Sequence, residues 1–421
     1  MFENAKFVID SREAFDGCVF VALKGEKTDG HLYVRQALEK GASLAVVERD
    51  VDVPKEKLYL VKDTRYFLQQ MAAQKLAMYD PQIVGITGSN GKTTTKEMIH
   101  HCLGKELAFR NPGNLNTEIG LPLSILNDYH GQPYAILEMA MNKPGDISTL
   151  CRIARPHVSV LLNVGTAHRG VAGGDEQILR GKLEIVENMR EDGIAIVHSD
   201  PRILEKIKEK KFLAFGFYSG DYKLVSYKYE EFSTIAHYET PEGKKKVRFS
   251  AILNLGQLVN VAAVLAVFDV LGLDVDLSKF ETFIPVDGRF KVIKVDDVYA
   301  VDDTYNASLE SFRIAVETLK KLGKRAYAVV GSIKEQGIYS EQTHRQLGRI
   351  LEQLDGVLVY NIDHEIDAME CSKIILKSDE PKAIVEQLRN LLEPKDAVLF
   401  KASRAVGMEK VLELFLGGKK A

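Results

Sequence analysis

Short runs of apolar residues, many of them β-branched, recur along this chain, and helical spacing of apolar positions fills the stretches between them. The clearest runs occupy residues 83–86, 134–137, 158–162 and 194–197. Strands buried on both faces are nearly continuous apolar runs, and their alternation with helices predicts a parallel sheet with helices on both sides. Residues 211–253 break this rhythm, because polar and apolar positions alternate around Thr240-Pro241-Glu242-Gly243. That segment predicts an antiparallel appendage.

Two further α/β segments flank this central pattern. The first has apolar runs at 18–23, 44–47 and 59–61 and helical patterns at 34–40 and 64–78, and Asp80-Pro81 ends it, since the residue before a proline disfavours helix. The second follows Pro285 to Gly288 and has runs at 298–301, 326–330, 356–360 and 397–400. A length of 421 residues suits two or three domains of about 150 residues. We predict α/β domains at residues 1–80, 81–288 and 289–421.

The composition disfavours several kinds of partner and site. The chain is 45% hydrophobic and 27% charged with a net charge of −3, which favours neither nucleic acid nor an anionic membrane. Its four cysteines (Cys18, Cys102, Cys151 and Cys371) form no C-x-x-C pair, so neither a disulfide framework nor a zinc site is predicted. No apolar stretch reaches the about 20 residues of a transmembrane helix. The start of the chain lacks the regions of a signal peptide, and a cytoplasmic protein is expected.

The segment from Gly85 to Thr95 has the form of a phosphate-binding loop. A β-branched run enters it, and a helix-forming segment leaves it at Lys96-Glu97-Met98-Ile99. Glycines let successive backbone N–H groups point at an anion, and the helix N-terminus adds partial positive charge. Lys92 can reach the β- and γ-phosphates, and the Thr93 hydroxyl can bind Mg²⁺. The spacing T-G-x-N-G-K-T-T is shorter than the usual G-x-x-x-x-G-K-[ST], yet its context predicts nucleoside triphosphate binding.

Polar side chains follow two more strands of the predicted central sheet. Glu138 comes after the run 134–137, and Asn163 and then His168 come after the run 158–162. Ligands of open α/β sheets bind outside the carboxyl ends of the strands, so these side chains are expected beside the phosphate loop. A carboxylate suits Mg²⁺, whereas an imidazole is a less usual ligand. Each residue alone is more often a solvated loop residue, but together they favour a metal site.

The helix predicted around residues 175–191 carries a lysine on its apolar face. That face consists of Ile178, Lys182, Ile185, Val186 and Met189, mostly opposite Glu184, Glu187, Asn188 and Glu191. Such a lysine usually extends its ammonium to water. Burial would instead lower its pKa, and a neutral amine can add CO₂ to become a carbamate, which is an anionic oxygen ligand. Both interpretations stay open from these residues alone.

Together these motifs resemble the Mur ligases of peptidoglycan synthesis over nearly the whole chain. The resemblance implies an ATP loop made of Gly88, Ser89, Asn90, Gly91, Lys92, Thr93 and Thr94. It implies that Thr93 and Glu138 bind one Mg²⁺ and that His168 and a carbamylated Lys182 bind another, with Lys92 completing the catalytic set. The segment 256–260 is similar to the family's adenine-side motif, with Gln257 in place of the usual His and Asn260 as the ATP-binding position.

The same resemblance assigns residues to two further substrates. Asp10-Ser11-Arg12 resembles a motif of the family's UDP-binding domain. The segment 113–120 resembles the family's motif near the sugar-linked substrate, with Thr117 where Asn is usual. The residues implied for the UDP-linked substrate are Ser11, Arg12, Asn114, Asn116 and Thr117. In the third domain, Arg289 and Asp303 are implied to contact ATP. The residues implied for the acceptor are Asn306, Glu335, Lys401, Ser403 and Arg404.

Two motifs of the third domain indicate a branch of the family. Residues 302–307 resemble the motif D-D-S-Y-N-A, whereas a D-N-P-R-type motif is not found. The segment 331–337 corresponds to G-D-M-x-E-L-G but keeps only the glycines and Glu335. This pattern is similar to the branch that joins D-alanyl-D-alanine to UDP-N-acetylmuramoyl-tripeptide.

The resemblance implies an architecture and a set of partners. A central P-loop parallel-sheet ATPase domain would be flanked by a small α/β UDP-binding domain and a Rossmann-like C-terminal domain. The cofactors would be ATP and two Mg²⁺ ions. The partners would be UDP-N-acetylmuramoyl-tripeptide and D-alanyl-D-alanine, without nucleic acid or membrane, and the protein would be a monomer. Amide-bond formation through an acyl phosphate is the implied reaction.

Several other functions are alternatives for this sequence. Within the ligases, the runners-up are a Mur ligase that adds a diamino acid and a folylpolyglutamate synthase-like enzyme, although the uridine-type first domain disfavours the folate substrate. A nucleotide-switched or motor protein would hydrolyse ATP without an acceptor amine. A catalytically silent binding protein of the same fold is disfavoured by the intact Lys92, Glu138, His168 and Lys182.

Overall fold

Three separate β-sheets organise the computed structural model, which describes residues 2, 5–25, 27–167 and 169–417. Parallel pairing dominates all three sheets, and helices lie between their strands in sequence, so the predicted α/β class is confirmed. His168, which was predicted to bind a metal, lies outside the described residues. No helix within the described ranges is long and apolar enough to cross a membrane. The domain boundaries at residues 80 and 288 stay predictions.

The first sheet has four parallel strands, in the order β1 (Phe7–Val8), β2 (Val19–Val21), β3 (Leu44–Val47) and β4 (Leu58–Leu60). Helix α1 (Val34–Glu39) packs on one face and α2 (Thr64–Tyr79) on the other. Both faces are therefore buried, which explains the continuous apolar runs. Asp63 begins α2 by accepting a hydrogen bond from Tyr66 N at 2.8 Å. Asp80 ends it in a left-handed conformation.

The central sheet is the largest. Its nine strands are β5 (Gln82–Thr87), β6 (Ala108–Arg110), β7 (Tyr134–Glu138), β8 (Val158–Leu161), β9 (Ile194–His198), β10 (Phe212–Phe217), β11 (Tyr222–Glu230), β12 (Ser233–Thr240) and β13 (Gly243–Phe249). Its helices are α3 (Lys92–Leu103), α4 (Gly120–Asp128), α5 (Asp146–Ile153), α6 (Arg169–Ala172), α7 (Asp175–Glu187), α8 (Pro201–Lys206), α9 (Leu255–Val270) and α10 (Ser278–Glu281). The strand order is β13-β12-β11-β10-β9-β8-β5-β7-β6, so β5 lies between β8 and β7.

The antiparallel pairing predicted within residues 211–253 is confirmed for β11 to β13, but the prediction that this segment forms an appendage was wrong. Strand β10 pairs in parallel with β9, and β11 pairs in parallel with β10, so this segment extends the central sheet. Only the β12 pairings are antiparallel, with Thr240 opposite Gly243 at the tip of a hairpin. The alternating pattern arises because one face of these strands, including Leu224, Ala236 and Val247, packs in the same core as α9.

The third sheet has six strands, in the order β14-β15-β19-β16-β17-β18. They are β14 (Lys291–Val295), β15 (Val298–Asp303), β16 (Ala326–Val330), β17 (Gly356–Tyr360), β18 (Ile374–Ser378) and β19 (Ala397–Lys401). All pair in parallel except the edge strand β14. Helices α11 (Leu309–Leu322) and α12 (Ser340–Leu351) pack on one face, and α13 (Pro381–Leu391) and α14 (Glu409–Phe415) on the other.

The central sheet's domain contacts both neighbours. The side-chain amide of Asn127 exchanges two hydrogen bonds of 2.8 Å with the backbone of Phe7 in β1. On the other side, Glu335 O accepts from Gly170 N at 2.9 Å. A Cβ at Gly170 would lie 2.4 Å from Gly337 N. Only glycine allows this approach of the third domain.

Candidate active site

A cavity of about 570 Å³ lies at the carboxyl ends of β5, β7 and β8, and residues of the third domain form its opposite wall. The predicted site residues that line it are Ser89, Asn90, Gly91, Lys92, Thr94, Asn114, Asn116, Thr117, Glu138, Lys182, Asn260, Arg289, Asp303, Asn306 and Lys401. Side chains predicted for three different ligands therefore share one space.

The phosphate loop between β5 and α3 is held from both sides. Gly91 has a φ of +87°, and a Cβ there would lie 2.2 Å from Asn260 Nδ2, so glycine is required. The side-chain amide of Asn163 accepts from Asn90 N and donates to Asn90 O, both at 2.9 Å. The end of β8 therefore holds the loop that begins α3.

Lys92 stands at the start of α3 with its ammonium inside the site. Its Nζ donates to Gly88 O at 2.8 Å. Burial lowers the pKa of Lys92, with Glu138 opposing the shift and Arg289 adding to it. A desolvated cation at this position acts on an anion with little screening.

Glu138 links the phosphate loop to the predicted sugar-side segment. The carboxylate is 2% exposed. Its Oε1 accepts from Asn116 Nδ2 at 2.7 Å, and its Oε2 accepts from the Thr93 hydroxyl at 2.9 Å. The same hydroxyl accepts from Arg289 Nη2 at 3.2 Å. Four side chains from four separate segments, Thr93, Asn116, Glu138 and Arg289, thus meet at one carboxylate and one hydroxyl oxygen.

Lys182 is buried in α7 rather than extended to water. Its side chain is 3% exposed and lines the cavity. Within the described part of the chain, its ammonium has no hydrogen-bond or ion-pair partner. Burial lowers the pKa of Lys182 well below the usual lysine value, and the nearby Lys92 adds to the shift. Of the two interpretations that the sequence left open, the structure supports a buried amine.

Glu184, which the helical pattern places mostly opposite the apolar face of α7, is nevertheless buried. It is 8% exposed. Its Oε1 accepts from Gly145 N at 2.6 Å, and its Oε2 accepts from Ser148 N at 2.9 Å. These backbone N–H groups belong to the start of α5, which a carboxylate stabilises. A partner outside its own helix, invisible in the local pattern, explains its burial.

The opposite wall carries two further cations. The Arg289 guanidinium lies 3.6 Å from the centre of the Tyr305 ring, and burial lowers its pKa. Lys401 Nζ donates to Asp303 Oδ2 at 2.5 Å and to Asn306 O at 3.0 Å. Burial raises the pKa of Asp303 and lowers that of Lys401, and their contact opposes both shifts.

The predicted UDP-side residues of the first domain lie outside the cavity. The Ser11 hydroxyl donates to Gln36 Oε1 at 2.7 Å. Arg12 is mostly exposed and pairs with Asp10 at 2.6 Å. The structure does not bring these two side chains to the phosphate loop, whereas Asn116 is close to it.

Three predicted acceptor residues also lie outside the cavity. Glu335 has a φ of +64° in the segment that contacts the central domain. The Ser403 hydroxyl accepts from Lys334 N at 2.9 Å. Arg404 is mostly exposed and lies 3.5 Å from Glu409. Of the predicted acceptor set, only Asn306 and Lys401 line the cavity.

Sequence reasoning missed Glu310, which joins the two walls. Its Oε1 accepts from Thr166 N at 3.0 Å and its Oε2 from the Thr166 hydroxyl at 3.2 Å. Beside it, Asn90 Nδ2 donates to the Ser308 hydroxyl at 3.2 Å. Ser308 and Ser311 form a capping box at the start of α11. That local signal could have placed Glu310 in the first helical turn, but not opposite Thr166.

Gln257 has a structural role that its sequence position signalled. Asn254 and Gln257 form a capping box at the start of α9, and N-x-x-Q is a capping signature. Gln257 Nε2 also donates to Arg289 O at 2.8 Å. The side chain that replaces the usual His therefore holds the backbone of Arg289.

Comparison with known protein families gives a consistent result along the chain. Residues 6–76 match the model described as "Mur ligase family, catalytic domain". Residues 86–268 match the "Mur ligase middle domain". Residues 288–404 match the "Mur ligase, glutamate ligase domain".

Individual proteins are similar over nearly their full lengths. The UDP-N-acetylmuramoyl-tripeptide–D-alanyl-D-alanine ligase of Bacillus subtilis (strain 168) is 33% identical, with 96% of this chain and 91% of the relative covered. The crystal structure of MurF ligase from Thermotoga maritima in complex with ADP has a TM-score of 0.95 at 43% identity, covering 99% and 98% of the two chains. A MurF structure from Acinetobacter baumannii has a TM-score of 0.91 at 31% identity, covering 98% and 93%.

Proposed function

Because this chain belongs to the Mur ligase family, we propose that it is an ATP-dependent ligase that joins D-alanyl-D-alanine to UDP-N-acetylmuramoyl-tripeptide. The product would be the UDP-linked pentapeptide used in peptidoglycan synthesis. One observation carries this proposal: relatives named for this activity align almost end to end with this chain, and one cavity is lined by residues that we assign to the nucleotide and to both substrates. Both walls are needed to build that cavity.

The ATP site assigned by this proposal spans both walls. The triphosphate would lie on the loop from Gly88 to Thr94, with Lys92 at the β- and γ-phosphates. Asn260, Arg289 and Asp303 would contact the rest of the nucleotide. The support is that all three line the same cavity as the loop and that a MurF relative was crystallised with ADP.

The residues present suit Mg²⁺, which prefers hard oxygen ligands and substrate phosphates. Among the described side chains, no group of three or more His, Cys, Asp or Glu could hold a metal by itself. The Thr93 hydroxyl and Glu138 carboxylate, 2.9 Å apart, are suitable oxygen donors for one ion that a bound triphosphate would help to hold. His168 and a carbamylated Lys182 would hold the second. When bound, these ions would supply positive charge to the phosphates.

A carbamate on Lys182 would need a neutral amine, and the lowered pKa of Lys182 supports this requirement. The amine nitrogen would form a bond to the carbon of CO₂ and release one proton. A buried amine without a partner among the described residues would thereby become an anionic oxygen donor near Lys92. An anion there would attract the Lys92 ammonium, whereas a protonated Lys182 would repel it.

The proposed reaction has two steps. A carboxylate oxygen of the UDP-linked tripeptide attacks the γ-phosphorus of ATP, which gives an acyl phosphate and releases ADP. The amine of D-alanyl-D-alanine then attacks the acyl carbon, the amide bond forms, and phosphate leaves with loss of a proton from nitrogen. Lys92 and Arg289 reduce repulsion between the two anions of the first step. Closure of the walls excludes water from the acyl phosphate.

The remaining assignments divide the substrates between the domains. The proposed UDP-side residues are Ser11, Arg12, Asn114, Asn116 and Thr117. The proposed acceptor-side residues are Asn306, Glu335, Lys401, Ser403 and Arg404. We also propose that the protein is a monomer and that it acts in the cytoplasm, where ATP is available.

Product analysis tests this function. The purified protein is incubated with ATP, Mg²⁺, UDP-N-acetylmuramoyl-tripeptide and D-alanyl-D-alanine, and the products are identified by mass spectrometry. We expect the UDP-linked pentapeptide and an equal amount of ADP. In parallel assays with the alternative substrates, ligation of a diamino acid to the UDP-linked dipeptide, or of glutamate to a folate, would favour the runners-up. ATP hydrolysis that no acceptor stimulates would contradict all three ligases.

A further inference from the structure

The buried lysine Lys96 has no role in the proposed reaction. Lys96 follows Lys92 by four residues in α3, its side chain is fully buried, and it does not line the cavity. A buried charge is costly, and breaking its pairs leaves partners unsatisfied. An apolar side chain of similar length would fill the same volume at less cost, so packing alone does not explain a lysine here.

The Lys96 ammonium bridges three segments. Its Nζ donates to Asn111 O at 2.6 Å and lies 3.4 Å from Gly113 O. It also lies 3.7 Å from Glu138 Oε2 and 3.5 Å from Glu97 Oε1. Arg110 already pairs with Glu97 at 2.5 Å. Glu97 therefore keeps an ion pair when Lys96 is removed. The contacts that would be lost are those that join the ammonium to the segment 111–113 and to Glu138.

That segment is bound to Glu138 by other contacts as well. The fully buried Asn111 accepts from Glu138 N at 2.8 Å and donates to Glu138 O at 3.0 Å. Asn116 Nδ2 reaches the carboxylate at 2.7 Å, and Asn116 O accepts from Ala140 N at 2.9 Å. The next residues along, Asn114 and Thr117, line the cavity. Lys96 thus stands behind the wall on which the UDP-linked substrate is proposed to lie.

We propose that Lys96 is a positioning residue that holds the segment 111–117 against Glu138 and so couples the nucleotide side of the cavity to the side of the UDP-linked substrate. The inference rests on the proposed function. A local positioning role predicts loss of order in one segment and loss of one substrate. A general packing role predicts destabilisation of the whole domain.

The test compares Lys96→Met with the wild type and with Lys105→Met. Lys105 is 86% exposed and lies 3.9 Å from Glu106 in a solvent-exposed pair, so its variant controls for loss of a lysine. By hydrogen exchange, Lys96→Met should exchange faster at residues 111–117 by about tenfold, since a charge-assisted anchor is lost, with the first sheet unchanged. Faster exchange throughout the central domain would overturn the proposal.

Binding to the same proteins supplies the second readout. By calorimetry, Lys96→Met should bind UDP-N-acetylmuramoyl-tripeptide about tenfold more weakly, while ADP without Mg²⁺ binds as in the wild type. Lys96→Gln, which keeps a donor for Asn111 O, should recover part of the loss and serves if Lys96→Met does not fold. Equal affinity in all variants would overturn the positioning role alone. A wild type that does not bind the UDP-linked substrate would overturn the proposed function instead.

Discussion

The two walls of the cavity are built in different ways. On the wall of the central sheet, contacts such as Asn90–Asn163 and Thr93–Glu138 join neighbouring strand ends of one sheet. The wall of the third domain carries its own pair, Asp303 with Lys401, and meets the first wall through contacts that are scattered along the chain. The hydrogen-bonded pairs among them include Asn90–Ser308, Thr93–Arg289, Thr166–Glu310, Gln257–Arg289 and Gly170–Glu335.

This difference separates what is preformed from what must assemble. Groups on one sheet keep their geometry whenever that sheet is folded. Groups on two domains come together only when the domains are closed. That arrangement is held by hydrogen bonds and by apolar packing of Ile252, Tyr229 and Phe232 in the core of the third domain. We therefore expect changes in the central wall to affect phosphoryl transfer itself. Changes in the third domain, or at the contacts between the two walls (the junction), should affect domain closure and binding of the acceptor.

The largest effect is expected from Lys182→Ala on the central wall. If the lysine is carbamylated, its loss removes a metal ligand, so ligation should stop while ADP still binds. Acetate or formate should restore part of the activity by occupying the vacated ligand position. In the wild type, ¹³C-bicarbonate should give a carbamate signal in the carbon NMR spectrum that Lys182→Ala lacks. An active wild type with no such signal would contradict the modification.

The pH dependence of that signal follows from the direction of the pKa shift. CO₂ adds only to the neutral amine, and burial lowers the pKa of Lys182. The carbamate should therefore form at neutral pH and diminish as acid protonates the amine. Surface lysines with ordinary pKa values should gain a comparable signal only in more alkaline solution.

Lys92→Ala is expected to have the next largest effect. It removes a cation that stabilises charge on the transferred phosphoryl group, which costs about 10²–10³ in rate. The measurement is ligation at saturating ATP and both substrates. Near-normal turnover would mean that the loop has been assigned to the wrong ligand. Lys105→Met, at an exposed position just after α3, is a suitable control.

Glu310→Gln tests the junction rather than either wall. It weakens a charge-assisted contact with Thr166, which should lower kcat about tenfold. ADP affinity should change little, because the phosphate loop is intact. Glu317→Gln, which changes an exposed position of the same helix, should match the wild type. Equal losses of kcat in both variants would show that the contact between Glu310 and Thr166 does not determine the rate.

The smallest effect is expected at Arg404 on the third domain. Its guanidinium can bind a carboxylate with two hydrogen bonds, whereas lysine binds as a point charge. Arg404→Lys should raise the acceptor KM several-fold and leave the KM for ATP unchanged. Arg345→Lys, at an exposed position of α12 paired with Glu341, is the control. Equal increases for both substrates would indicate a structural role for Arg404.

The walls also differ in how far sequence predicts them. Lys92 and Glu138 were found because one strand–loop–helix motif and one strand end place them, and both signals are local. The contact of Glu310 with Thr166 and the burial of Glu184 were missed, because the partners of these carboxylates lie on other helices and loops. The alternation in β11 to β13 predicted their antiparallel pairing correctly but not their membership of the central sheet. Strand order depends on long-range pairing, which a local pattern does not encode.

The order of events in the first turnover tests the account most directly. The protein is mixed with ATP, Mg²⁺ and UDP-N-acetylmuramoyl-tripeptide without the acceptor, quenched at short times, and assayed for ADP and free phosphate. We predict close to one ADP per site with little phosphate, followed by steady phosphate release only when D-alanyl-D-alanine is added. No ADP before the acceptor, or steady phosphate release without it, would contradict activation on the central wall followed by transfer at the third domain.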